Sequence, residues 1–150
     1  MKIAIAGAGY IANIHAQAVK KLGGEVTTVV EKFSDKGKEF ATKFGARHFE
    51  TLEDALKAGG FDALVIGTPN YLHAPQTIAA LRAGIHVMVE KPMAMNAQEA
   101  GQMCEAASKS GATLMVAHCW RFDPDVLWLK KESKKLGRII RTKGYGVHIL

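Results

Sequence analysis

Cysteine is scarce: Cys104 and Cys119 are the two present in 150 residues, with no CxxC spacing. That excludes a disulfide-stapled scaffold, and free thiols point to a reducing compartment, so a cytoplasmic location is expected. Long apolar runs are missing as well. No stretch approaches the roughly 20 residues of a membrane span, so no membrane partner is expected, and glycines break the apolar opening MKIAIAGAGYIA where a signal peptide would continue. The six histidines, His15, His48, His73, His86, His118 and His148, form neither HExxH nor a His/Cys pair at zinc spacing, so no metal is expected. A Ser-His-Asp arrangement and a Walker loop are absent too. Acidic charge is deficient in one place: between Lys130 and Lys143 seven basic residues face Glu132 alone, a local charge of +6 that equals the whole chain's. No helix-turn-helix, zinc-finger or RNP pattern accompanies that run, so it reads as a solvated helix end and no nucleic acid is expected.

What the chain does contain is 48% apolar residues, enough at this length for one substantial core. Strand-like and helix-like patterns alternate almost throughout. Apolar strands are expected over Lys2 to Ala6, Glu25 to Glu31, Arg47 to Phe49, Ala63 to Gly67, His86 to Glu90 and Thr113 to Ala117. Helices are expected from about Ile11 to Leu22, Ser34 to Phe44, after Thr51-x-x-Asp54, up to Ala83-Gly84, Asn96 to Ser110 and Pro124 to Lys135, followed by a strand over Ile139 to Leu150. Runs such as ALVIG and HVMVE are apolar without alternation, which implies burial on both faces of a parallel sheet. The expected fold class is therefore α/β, a doubly wound, mostly parallel sheet.

The first turn, Gly7-Ala8-Gly9-Tyr10-Ile11-Ala12, follows a strand and opens a helix. Gly7 suits the tight turn, Gly9 lets backbone approach a pyrophosphate, and the helix N-terminus at Tyr10 and Ile11 offers free N–H groups to phosphate. Glu31 closes the second strand about twenty residues later, where a carboxylate can accept hydrogen bonds from an adenine ribose. Together they predict dinucleotide binding. A 2′-phosphate beside Glu31 would bring two anions together, which favours NAD, although Lys32, Ser34 and Lys36 could shelter that phosphate and keep NADP possible.

In an open parallel sheet, ligands sit beyond the carboxyl ends of the strands. Thr68-Pro69-Asn70 with His73, Glu90-Lys91-Pro92 and His118 to Phe122 all follow strands, so polar groups converge on one edge. A Lys beside the nicotinamide end can hydrogen-bond a substrate oxygen, which makes Lys91 the candidate catalytic and substrate-binding residue. Two residues are set aside as structural, His15 as packing between helix and sheet and Cys104 as a small buried hydrophobe on a stripe with Met103 and Ala107, while Glu90 and Lys91 could also form a simple ion pair.

GAGYIA, TPNYLH, ALRAGIHVMVEKPMAMN and WRFDP together resemble the glucose-fructose oxidoreductase, inositol dehydrogenase and MocA (Gfo/Idh/MocA) family, over essentially the whole chain. The resemblance implies an N-terminal Rossmann domain and an NAD- or NADP-dependent oxidoreductase acting on a secondary alcohol or ketone of a sugar or polyol. It also implies that Lys91 holds the reacting oxygen, that Thr68, Pro69, Asn70, His73 and Glu90 line the cofactor site, and that Trp120 and Arg121 touch sugar hydroxyls. Family enzymes are more than twice this long. The expected organisation is a dinucleotide-binding domain over 1–120 and, over 121–150, a connecting helix and the first strand of a truncated substrate domain, so the chain alone is expected to be catalytically incomplete. The alternative is a non-catalytic dinucleotide-binding or assembly module. An unpartnered strand over Ile139 to Leu150 would invite pairing with a second copy, so a homo-oligomer is expected.

Overall fold

The structure, a computed structural model, describes residues 1–143. Its strands are β1 (Lys2–Ala6), β2 (Glu25–Val30), β3 (Arg47–Phe49), β4 (Ala63–Ile66), β5 (His86–Val89) and β6 (Leu114–Val116). The helices are α1 (Tyr10–Lys21), α2 (Ser34–Phe44), α3 (Leu52–Ala58), α4 (His73–Arg82), α5 (Ala97–Ser110) and α6 (Pro124–Glu132). Each falls where periodicity and caps place it, with boundaries moved by one to three residues. Thr51 caps α3 by accepting from Asp54 N–H, and Asn96 caps α5 by accepting from Glu99 N–H.

All pairings are parallel, in the order β3-β2-β1-β4-β5-β6. The chain steps outward from β1 through β2 to β3, returns to β4 on the other side of β1, and steps outward again. Because each crossover is right-handed, that reversal puts the two sets of helices on opposite faces. The strand side chains divide accordingly, with period two except in β2, where a register shift in the pairing with β1 puts Val26 and Val29 on the same face. Ile3, Ile5, Val26, Val29 and Val65 pack with Ala12 and Ala16 of α1 and Phe40, Ala41 and Phe44 of α2. Ala4, Ala6, Val30, Leu64, Ile66, Val87 and Val89 pack with α3, α4 and α5 through Ala55, Ala80, Leu81, Met103 and Ala106. Both faces are buried, which is why ALVI and HVMV read as unbroken apolar runs.

One expectation about the core is corrected. Cys104 is exposed, while Met103 and Ala106 are buried and Ala107 packs partly against the core. The buried stripe of α5 follows the i, i+3, i+4 spacing from Met103, and Cys104 lies about 100° further round the helix.

The chain divides into two compact units, Met1–Ala117 and His118–Leu150. In the second, Asp123 Oδ1 caps α6 by accepting from the N–H groups of Asp125 and Val126, with Pro124 in the first turn. The helix has no buried residue, and a 3₁₀ turn, Ser133–Lys135, follows it. Residues 139–143 form no strand, and the rest of the expected terminal strand, 144–150, lies outside the described residues. Among the described residues no helix is long and apolar enough to cross a membrane.

The two-sided core makes the central strand the most sensitive. Leu64, fully buried in β4, should cost roughly 2–5 kcal/mol on Leu64→Ala, whereas Met115→Ala, at the exposed position of β6, should change stability by less than about 1 kcal/mol. Urea denaturation of the two variants checks this, and equal losses would contradict the layer assignment.

Candidate functional site

The ladder continues one residue beyond the strands. Gly7 N–H donates to Val30 O at 2.8 Å and Glu31 N–H to Phe49 O at 3.0 Å, while Gly67, Glu90 and Ala117 N–H donate to Ala6, Ile66 and Val89 O at 2.9 Å each. Glycine loop, Glu31, Thr68 and Glu90-Lys91 are thereby held along one edge of the sheet. The strand order reverses between β1 and β4, the point where an open parallel sheet leaves a crevice for ligands.

At the centre lies the glycine loop. Gly7 has φ +95°, and a Cβ there would meet Gly67 O at 2.9 Å, so the loop can lie against the end of β4 only without a side chain. Gly9, the N-cap of α1, makes no side-chain cap and has open space where a Cβ would stand. The first turn of α1 also contains no acidic residue, so its N–H groups at Tyr10, Ile11 and Ala12 remain available to an anion. Tyr10 is exposed and Ile11 half-buried.

Glu31 is fixed rather than loose. Its Oε2 accepts from Ala8 N–H at 3.0 Å and its Oε1 from Phe33 N–H at 3.1 Å, which leaves each carboxylate oxygen further acceptor capacity. Its backbone is held as well, because His48 Nε2 lies 2.8 Å from Glu31 O. The His48 ring is seated against Gly37 of α2, where a Cβ would come within 2.1 Å of Nε2. Of the nearby cations, Lys36 lies over the Phe33 ring and Lys43 donates to Asn13 Oδ1 at 2.7 Å, while Lys32 is exposed.

On the β4–β5 side, His73 is 1% exposed, with Nδ1 2.7 Å from Pro92 O and Nε2 2.9 Å from Thr68 O. Both ring nitrogens are thus turned to backbone, so His73 fastens the loop after β4 to the loop after β5 and presents no polar atom of its own to the crevice. Thr68 Oγ1 donates to Gln76 Oε1 at 2.7 Å and keeps acceptor capacity, Pro69 and Asn70 are exposed, and the Lys91–Pro92 peptide is cis.

Glu90 does not pair with the Lys91 ammonium, contrary to the simplest reading of the two adjacent charges. Its Oε1 lies 2.9 Å from His15 Nε2 and its Oε2 accepts from Lys91 N–H at 3.1 Å. His15 is therefore more than packing. Among the described residues no hydrogen bond or ion pair engages Lys91 Nζ, and the side chain is exposed. Trp120 and Arg121 belong to the second unit, on an exposed 3₁₀ turn spanning Cys119–Phe122. Among the described residues no group of three or more His, Cys, Asp or Glu could hold a metal ion.

Sequence reasoning missed His48 and Gly37 altogether and undervalued His15. Their partners are a backbone carbonyl 17 residues away and a carboxylate 75 residues away, and neither separation leaves a local pattern.

Residues 1–118 match the family model described as an oxidoreductase family with an NAD-binding Rossmann fold. Among curated proteins, the chain is 36% identical over 126 residues to 4-carboxy-2-hydroxymuconate-6-semialdehyde dehydrogenase of Sphingobium, covering 83% of this chain and 40% of the relative. It is 33% identical over 143 residues to scyllo-inositol 2-dehydrogenase (NADP(+)) IolU of Bacillus subtilis, covering 94% and 44% respectively. Among solved structures, the WlbA dehydrogenase of Bordetella pertussis, in complex with NADH and UDP-GlcNAcA, superposes with a TM-score of 0.87 at 31% identity over 90% of this chain and 40% of that one. The chain thus spans about two-fifths of the length of these relatives.

The seat of His48 gives a substitution an unusual sign. In an unobstructed helix interior Gly→Ala stabilises by roughly 0.5–1 kcal/mol. Here Gly37→Ala must displace the ring that holds Glu31 O, so chemical denaturation should show a loss, while Gly37→Ala combined with His48→Ala should recover it. A gain from the single variant would refute the contact.

Proposed function

The chain belongs to the Gfo/Idh/MocA oxidoreductase family, and from that premise we propose that it is the cofactor-binding portion of an NAD(P)-dependent oxidoreductase acting on a secondary alcohol or ketone of a sugar or polyol. The observation that carries the reading is a row of three complementary groups along one edge. Glu31 supplies acceptors on the β2 side, the uncapped N-terminus of α1 supplies N–H donors at the centre, and Lys91 supplies an unpaired ammonium on the β5 side. Ribose hydroxyls, a pyrophosphate and the oxygen of a reacting carbon make the matching row on a dinucleotide with its substrate. The open space above Gly9 fits the approach of phosphate to backbone.

When bound, the nicotinamide supplies or accepts the hydride. The residues of this chain hold and polarise. Glu31 receives the adenine ribose hydroxyls on its remaining lone pairs, and α1 faces the pyrophosphate with its dipole. Thr68 and Asn70, after β4, border the nicotinamide half. Lys91 donates a hydrogen bond to the substrate oxygen and stabilises the charge that gathers there as the hydride moves. NAD is the favoured cofactor, because Glu31 stands where a 2′-phosphate would lie, and Lys36 and Lys43 are turned to Phe33 and Asn13.

Calorimetric titration with NADH and NADPH tests this. NADH should bind more tightly, and Glu31→Ala should weaken it by roughly 1–3 kcal/mol through lost charge-assisted hydrogen bonds, with a smaller loss or a gain for NADPH. Equal losses would remove Glu31 from the ribose site, and absence of binding to either dinucleotide would overturn the proposal.

A further inference from the structure

Lys91 and Glu90 are adjacent opposite charges at the end of one strand, and their side chains nevertheless do not pair. A half-buried imidazole takes the place of the ammonium. His15 Nε2 and Glu90 Oε1 are 2.9 Å apart, with side-chain exposures of 17% and 12%. A contact this desolvated holds its direction better than a surface pair does. The other oxygen, Oε2, is folded back over the amide of Lys91 at 3.1 Å. The carboxylate therefore lies at the root of the Lys91 side chain, within reach of a flexible four-carbon stem, and what holds Oε1 toward α1 is His15.

We infer that His15 is a positioning residue for Lys91: by binding Glu90 it keeps the neighbouring carboxylate turned to α1 and leaves the ammonium free to meet a substrate oxygen. The significance of that freedom rests on the role proposed for Lys91 in hydride transfer. The contact itself does not. Without the imidazole, Oε1 loses its partner and the closest flexible cation in sequence is Lys91 Nζ. Pairing would occupy a donor that the substrate needs and draw the ammonium back toward the strand end. His15 reaches this position because it stands on α1, whose Ala12 and Ala16 are fully buried against the sheet, so the helix lies close to the strand ends.

The test reads the Lys91 amine directly and needs no substrate. Reductive methylation with ¹³C-formaldehyde converts the lysines of the full chain to dimethyl-lysines whose NMR signals titrate, and loss of one signal in Lys91→Arg assigns Lys91. His15→Phe keeps a ring but removes both nitrogens. It should raise the Lys91 midpoint by about 0.5–1 pH unit, because a freed carboxylate favours the ammonium. His15→Asn, too short to reach Glu90, should give the same shift and carries the test if the Phe variant does not fold. His15→Gln, which restores an amide donor, should stay at the wild-type midpoint. The shift should vanish when Glu90→Gln is added to either shifted variant. An unmoved midpoint in the folded His15→Phe or His15→Asn chain, or a shift that survives Glu90→Gln, would overturn the inference. NADH calorimetry on the wild-type chain separates the two readings. Failure to bind NADH refutes the proposed cofactor role, whereas an unmoved Lys91 midpoint in a chain that binds NADH refutes the His15 assignment alone.

Discussion

The crevice depends on a parallel hydrogen-bond ladder that does not stop where the strands stop. The ends of β1, β2, β4 and β5 each donate once more to a neighbour, and those bonds, from Gly7 to Val30, Glu31 to Phe49, Gly67 to Ala6 and Glu90 to Ile66, set the backbone of the residues along the crevice before their side chains are considered. Beyond that last rung the carbonyl oxygens have no ladder partner, and a buried acceptor left unpaired is costly. Histidines meet that need from other elements. His48 comes from the neighbouring strand to Glu31 O, and His73 comes from α4 to stand between Thr68 O and Pro92 O, where its single N–H donates to one of the two.

Small residues make this arrangement possible. Ala12 and Ala16 in α1 are fully buried against the sheet, and Gly7 meets Gly67 with no room for a Cβ. Helix and sheet then lie close enough for a side chain in the second turn of α1 to reach a carboxylate at the end of β5. Gly37 serves the same purpose on the other side, where it clears the seat of the His48 ring. Packing at these points decides where charge lies, because each close approach delivers a polar side chain to a strand end.

Along the crevice the electrostatics change sign in an order that suits one extended ligand. A carboxylate with spare acceptor capacity stands after β2, the positive end of a helix dipole opens at the centre, and an unpaired ammonium follows β5. The strongly basic run from Lys130 to Lys143 belongs to the second unit.

The sequence alone determined the periodic features. Unbroken apolar runs marked the two-sided parallel sheet, Gly7-x-Gly9 and Glu31 marked the ends of β1 and β2, Thr51 and Asn96 marked helix starts, and Glu90-Lys91-Pro92 marked the loop after β5. Each of these signals is local, set by backbone conformation or by the burial of neighbours a few residues apart. Tertiary structure decided the partners. The rotation of α5 that exposes Cys104, the turning of both His73 nitrogens to backbone, the seat of His48 on Gly37 and the preference of Glu90 for His15 over Lys91 depend on which helix reaches which strand end. The physical reason is range: an imidazole acts over about 3 Å in space, and its partner 75 residues away leaves no period in the chain.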